Sequence, residues 1–331
     1  MSGRRLPVVV HHLQLTNAAF EGRNSVYLLG AGDDAAPTTL VDTGIATPDV
    51  ESELRDALDA RGASFAAVDQ VLLTHWHHDH AGLAAAVQAD GDATVYVHEA
   101  DAPMVAQDED AVAEMEATQA TYLDEWGMPA DKQAELNDFL DTHDGLQGEP
   151  ADVTPLADGD TVDLGYFEVE VVHLPGHAAG LAAYVFERDG RREAFVGDAV
   201  LPKYTPNVGG ADVRVERPLQ QYLDSLRRVE SLDLDRAWPG HRGPIFAPTE
   251  RARDIADHHD ERTERVVDVV REQGPVTAWA VSADLFGDLR HIHVLHGPGE
   301  AYAHLDHLVR EGVLRAVDGG DAGAAVRYEL A

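Results

Sequence analysis

The chain has 331 residues, 44% of them hydrophobic, and a formal charge of −35 from 60 acidic against 25 basic side chains. It carries enough apolar material for a sizeable core, while the absence of cysteine excludes disulfides, thiolate nucleophiles and Cys-held zinc. Acidity spread along the sequence disfavours phosphate backbones as partners, and no apolar run is long enough to span a membrane, so a cytoplasmic protein acting on a small molecule is expected.

Four short β-rich runs open the chain: residues 7–15 (PVVVHHLQL), 24–30 (NSVYLLG), 38–44 (TTLVDTG) and 68–75 (VDQVLLTH). Between the last two, residues 47–62 predict an amphipathic helix with Thr47 as N-cap, Pro48 at its first position and Gly62 at its end. A second helix is predicted over HAGLAAAVQA, residues 80–89, with Asp79 and His80 at its opening. Residues 99–145 read as acidic helices, an inserted cap in which Tyr122, Trp126 and Met128 either shape an apolar pocket or pack within the insert. Strands return at 160–175, 180–190 and 192–198, followed by a helix over 218–232 and a short strand at 236–241. After Pro248 the period turns helical, over 249–274, 276–287 and 299–312, and residues 313–330 predict two strands around a glycine-rich turn. The expected organisation is a βα-rich domain over 1–247 and a winged-helix-like module over 248–331. Only Lys132 and Lys203 are lysines; with the acidity, this resembles proteins of extreme halophiles.

Chemistry concentrates in LLTHWHHDHAGL, where His75 to His80 include four histidines and an aspartate directly after an apolar run. Strand ends are where layered α/β folds build their sites. His75 and His77 can face one ion from an extended turn, and Asp79 and His80 can face a neighbouring position, with His78 pointing away. Neutral imidazole and carboxylate suit zinc or another first-row divalent ion. In a chain with 18 histidines a pair means little, but H-x-H-x-D-H is specific, and His177 in HLPGHAAG, Asp198 in FVGDAV and His241 in WPGHRG follow, each just after a predicted strand. Lys203 and Tyr204, in LPKYTPNVGG after Asp198, are candidates to bind an anionic substrate group. His291, His293 and His296 fall in a predicted loop without a carboxylate partner and read as structural or exposed; His258 and His259, on the long predicted helix, are assigned no chemistry.

In order, THWHHDH, PGH, GD and PGH resemble the motifs of the metallo-β-lactamase superfamily, a likeness that covers about residues 8–246. The resemblance implies a four-layer αββα sandwich of two mixed sheets with a dinuclear centre at one edge. It implies that His75, His77 and His177 hold one ion, that Asp79, His80 and His241 hold the second, and that Asp198 bridges them. Asp42, in TLVDTG, would orient a metal ligand from behind. Zinc β-lactamases proper usually place a cysteine where Asp198 stands, so antibiotic hydrolysis is disfavoured. The order of domains resembles a branch with a C-terminal winged helix that includes endoribonuclease-like proteins. Here that tail is itself acidic and lacks a basic recognition helix, which makes it a packing module before a DNA reader.

Two cations roughly 3.5–4 Å apart would share a water and lower its pKa from ~15.7 to near 7, giving a hydroxide that attacks a carbonyl or phosphorus. Asp79 is the candidate to orient that water and handle its proton. The expected cofactors are two divalent ions, zinc before iron or manganese. The favoured substrate is a small ester or thioester, as in hydroxyacylglutathione hydrolases, since a thiolate leaves without a strong general acid. The alternatives are an endoribonuclease on single-stranded RNA, a mononuclear iron enzyme like the persulfide dioxygenases, and a winged-helix regulator with a vestigial enzyme domain. Self-association into a homodimer through the tail is a further expectation.

Overall fold

The structure, a computed structural model, describes residues 9–17, 22–33, 36–143, 145–317 and 325–331. The first half contains β1 (His11–Thr16), β2 (Arg23–Leu29), β3 (Thr39–Val41), α1 (Pro48–Asp59), β4 (Gln70–Leu72), α2 (His78–Ala81), α3 (Ala84–Gly91), β5 (Thr94–His98), α4 (Ala102–Val105), α5 (Glu109–Glu125), α6 (Ala130–Thr142) and β6 (Val153–Leu156). Its strands form one six-stranded sheet in sequence order, antiparallel from β1 to β3 and parallel from β3 to β6. The second half adds β7 (Thr161–Asp163), β8 (Glu168–His173), β9 (Ala182–Arg188), β10 (Arg191–Gly197), α7 (Pro218–Ser231) and β11 (Arg236–Pro239). Here β7 to β10 form an antiparallel meander, and α7 crosses over to bring β11 parallel to β10 in a five-stranded sheet.

Period-two alternation stacks the layers. In β2, Tyr27 and Leu29 point to the second sheet and meet Val169, Val171, Tyr184, Phe186 and Phe195, while Val26 and Leu28 point the other way, toward Val50, Leu54 and Leu58 of α1. In β9 and β10 the outward residues Ala183, Val185, Ala194 and Val196 pack on Leu219, Leu226 and Val229 of α7. Helices therefore cover both outer faces and two sheets share the middle, giving the αββα order. Helix α1 starts as expected, with the Thr47 side chain accepting from Val50 N and Pro48 at its first position; it ends at Asp59, before the turn at Gly62.

Several local expectations are corrected. The helix expected over residues 80–89 is two pieces, because Leu83 turns its N–H to Gly44 O and breaks the ladder between α2 and α3. Strands β5 and β6 carried no notice in the sequence; β6 contains Pro155, tolerated because it is the sheet edge. Residues 160–175 form two strands, β7 and β8, with a turn between them.

The last part holds α8 (Pro248–Gln273), α9 (Ala278–Phe286), α10 (His293–Arg310), β12 (Leu314–Val317) and β13 (Arg327–Leu330). The two strands pair antiparallel, and Val276 bridges Tyr328 beside them. The expected glycine-rich turn at 318–324 and the start of the first expected strand, residues 7 and 8, lie outside the described residues. Helix α10 overturns the loop reading of 290–299: it begins at His293 and runs through Pro298, because packing outweighs the missing N–H. Trp126 and Met128 do not line a pocket; with Leu123 and Leu136 they are buried against Val266, Val270, Val281 and Leu305, so the insert and the C-terminal module share one apolar cluster. No helix among the described residues is long and apolar enough to cross a membrane.

Candidate metal centre

Five of the motif residues follow strand ends that open on one edge of the sandwich. Asp42 stands after β3, His75 three residues beyond β4, His177 after β8, Asp198 directly after β10 and His241 two residues beyond β11. Three groups result whose ligating atoms lie within 4.8 Å of one another: His75, His77 and His177; His75, His80 and Asp198; Asp79, His80 and His241. Asp198 sits between them, with Oδ2 3.2 Å from His241 Nε2 and 3.8 Å from His177 Nε2, and Oδ1 3.7 Å from His80 Nε2. Gly240 makes this approach feasible, since a Cβ there would overlap both Asp198 Oδ1 and the His80 ring.

The hydrogen bonds behind the rings fix which nitrogen faces inward. A carbonyl or carboxylate only accepts, so the ring nitrogen against it carries the proton and the other offers a lone pair. His177 Nδ1 donates to Asn207 O at 2.8 Å, His77 Nε2 to Ala211 O at 3.1 Å and His241 Nδ1 to Arg23 O at 3.3 Å. His80 Nδ1 donates to Asp42 Oδ2 at 2.9 Å. Thr74 Oγ1 gives its proton to Asp42 Oδ2 at 2.9 Å and thus accepts from His75 Nδ1 at 3.0 Å. Four rings therefore point Nε2 at the centre and His77 points Nδ1. Asp42 orients two rings at once, one of them through Thr74, whose N–H it also accepts at 2.8 Å.

What faces inward is left unsatisfied. His75 Nε2, His80 Nε2 and Asp198 Oδ1 are buried without a hydrogen-bond partner among the described residues. Such orphans cost free energy unless something occupies the space between them. A neutral nitrogen and carboxylate donor set of this spacing fits divalent ions. The electrostatics agree. Burial alone would raise the Asp198 and Asp79 carboxyls, but the imidazoles around them hold both below the usual carboxylate range. Burial would lower His80, yet Asp79, Asp198 and Asp42 together lift it to about 10, so without an ion the positive charge these carboxylates attract is a proton on His80 Nε2, which an ion there would displace. Burial and neighbouring imidazoles push His75 and His77 well down.

Residues that no motif announced complete the surroundings. Asp79 Oδ2 accepts from Asn17 and Asn24 Nδ2, both at 3.1 Å, and Asn24 also donates to Asp79 O at 2.8 Å. Between the two ligand-bearing loops, Trp76 donates its N–H to Asp101 and its indole N–H to Asp212, both at 3.1 Å; the same carboxylates accept from Gly180 N and Ala179 N just beyond His177. Arg214 bridges Asp101 and Asp212, at 2.7 and 2.5 Å. His78 starts α2 with its ring 5.8 Å from that of Trp76, outside the three groups. Lys203 and Tyr204 are exposed in the loop after β10. Tyr204 lies with the Arg242 guanidinium 4.8 Å and the Lys203 ammonium 5.1 Å from its ring, and Arg242 directly follows His241. A surface groove of about 910 Å³ beside α1 and α3 is lined by none of the converging residues. His259, assigned no role in the sequence, is buried beside Glu300 and His304, all within 4.8 Å.

Residues 19–241 match the metallo-beta-lactamase superfamily. The probable metallo-hydrolase YqjP of Bacillus subtilis (strain 168) is 28% identical over 278 residues, 82% of this chain and 85% of that protein. The crystal structure of a metallo-beta-lactamase family protein from Thermus thermophilus superposes with a TM-score of 0.80 at 30% identity, covering 97% of this chain and 98% of that one. An atrochrysone carboxyl ACP thioesterase of Passalora fulva is 22% identical over 275 residues, 81% of this chain and 64% of that protein.

Proposed function

Since the chain belongs to the metallo-beta-lactamase superfamily, we propose that it is a dinuclear metallo-hydrolase of a small ester or thioester carrying an anionic group. The observation that carries this reading is the outward direction of the ring protons, which leaves His75 Nε2, His80 Nε2 and Asp198 Oδ1 buried together without a hydrogen-bond partner among the described residues. His75, His77 and His177 would hold one ion, Asp79, His80 and His241 the other, and Asp198 both. Bound there, divalent ions, zinc first for this donor set, supply Lewis acidity and make water a nucleophile near neutral pH.

The chain's own groups do the rest. Asn17 and Asn24 hold Asp79 Oδ2 from behind, which fixes that carboxylate for orienting the nucleophilic water and accepting its proton. No side chain need act as a strong acid if the leaving group is a thiolate, which favours a thioester. A relative whose name is a carboxyl ACP thioesterase supports the same class. In a chain with 60 acidic side chains, Lys203 and Arg242 against Tyr204 form a local cationic rim beside His241, suited to a carboxylate or phosphate on the substrate. The C-terminal module we read as winged-helix-like and as support for the centre.

The test is turnover of a thioester panel and a single-stranded RNA panel by the ion-loaded protein, by chelated protein and by His75→Ala. Thioester cleavage that chelation and the substitution both remove is expected. RNA cleavage without thioester turnover overturns the proposal.

A further inference from the structure

The segment 207–211 supplies the outer acceptors of two candidate ligands of the same ion, Asn207 O for His177 and Ala211 O for His77. It is the C-terminal module that holds this segment from outside the αββα body. Glu300, 4% exposed on α10, accepts at Oε2 from Asn207 Nδ2 at 3.1 Å and from Val208 N at 3.0 Å. Asn207 Nδ2 donates also to His296 O at 3.0 Å, and its Oδ1 accepts from Gly210 N at 3.1 Å. Gly210 lies so close to α10 that a Cβ there would stand 2.7 Å from His296 Cα.

Glu300 is itself anchored. Arg262 of α8 donates to its Oε1, and His259 Nδ1 and His304 Nε2 each lie 3.8 Å from the same oxygen, with Thr263 Oγ1 2.7 Å from His304 Nδ1. Two imidazoles and a carboxylate at this spacing would suit a third ion, but the Arg262 guanidinium already supplies the positive charge on that oxygen. The cluster is thus a neutralised anchor, and the remaining oxygen, Oε2, holds the loop.

We infer that the C-terminal module completes the His75, His77 and His177 ion position, with Glu300 as the positioning residue that sets His177 and His77 through Asn207 and the 207–211 backbone. This rests on the reading of the centre as dinuclear. Loss of Glu300 frees the loop that fixes two rings, whereas Asp79, His80 and His241 are held by Asn24, Asp42 and Arg23, none of them on the 207–211 segment or on α10. Through the 207–211 segment the module therefore acts on the His75, His77 and His177 position; its other contact near the centre, Arg251 to Leu201 O and Tyr204 O, lies beyond Asp198 and reaches neither ring.

The experiment titrates ion-free protein with Co²⁺ and Zn²⁺ against a chromophoric chelator, following stoichiometry, the affinity of each step and the Co²⁺ absorption spectrum, for wild type, Glu300→Ala and Glu300→Gln. Glu300→Ala is expected to weaken one step by about 10–100-fold and leave the other within about threefold. Glu300→Gln keeps one acceptor oxygen for Asn207 and Val208 but loses the acceptor and charge toward Arg262, and is expected to bind the weakened step more tightly than Glu300→Ala. A wild type that binds no ion sinks the dinuclear reading itself. Two unchanged steps in Glu300→Ala, or equal weakening of both steps with Gln no better than Ala, overturns the positioning role while leaving the centre intact.

Discussion

Two buried clusters in this molecule use the same residue types and settle their charge in opposite ways. At the strand ends, imidazoles and carboxylates converge with no arginine or lysine in the three groups, and buried nitrogen and oxygen atoms face one another without hydrogen-bond partners among the described residues. In the C-terminal module, His259, Glu300 and His304 are as close together, but Arg262 is bonded to the carboxylate and the remaining oxygen feeds a loop. Proximity of ligand-type side chains is therefore not what marks a metal centre. The distinguishing feature is whether the protons have been turned outward and the inward charge left open.

The largest way to break that comparison is to remove the shared carboxylate. Asp198→Ala should reduce ion-dependent turnover by more than about 100-fold, beyond the range typical of outer partners, and lower the ion content in elemental analysis. Undiminished turnover would show that the strand-end cluster is no more functional than the tail's. Next, Arg262→Met leaves Glu300 buried without its counter-charge and should cost about 3–5 kcal/mol in denaturant unfolding of the ion-free protein. A loss under about 1 kcal/mol would mean that the tail cluster is not charge-balanced by that residue.

A smaller effect is expected behind the rings. Asp42→Ala removes the acceptor of His80 and of Thr74, and through Thr74 the orientation of His75. Ion affinity should fall by about 10–100-fold in chelator competition. The smallest effect extends the comparison to a third group of histidines, a stacked pair. His98 stacks on His173 with centroids 3.9 Å apart, and burial and the charge of His173 hold it down to about 4. Between that value and the ordinary 6.5 the unfolded chain binds more protons than the native one. The contribution is complete above about 6.5 and is lost as pH falls toward 4, which appears as a slope of Tm against pH over that range. His98→Phe should flatten the Tm profile over that range in ion-free protein; an unchanged slope contradicts the assignment.

The spacing H-x-H-x-D-H and the later His177, Asp198 and His241 were legible because ligand chemistry restricts residue type at each position, and the structure brings these side chains together. Thr47 and Pro48 were legible because a helix start needs an acceptor and tolerates a missing N–H. The acceptors that orient the rings were not. Asn207 O, Ala211 O and Arg23 O are backbone atoms, identical in every residue, and their partners lie 30, 134 and 218 positions away. Glu300 was hidden for the same reason, 93 residues from Asn207 in a stretch whose Gly-Pro-Gly reads as a helix breaker. Tertiary contact overruled the local signal there, as it did for Leu83 in the divided α2 and α3.

The parallel crossover that brings β11 beside β10 makes His241 the last of the converging side chains to be synthesised, 161 residues after His80. At 5–20 residues per second a ribosome needs roughly ten to thirty seconds for that stretch. Through that interval the nascent chain displays the four histidines of residues 75–80 with the set incomplete, His177 and Asp198 joining on the way and His241 only at its end. On the dinuclear reading, filling of the Asp79, His80 and His241 position must then be a late event, set by the order of translation as much as by the donor atoms.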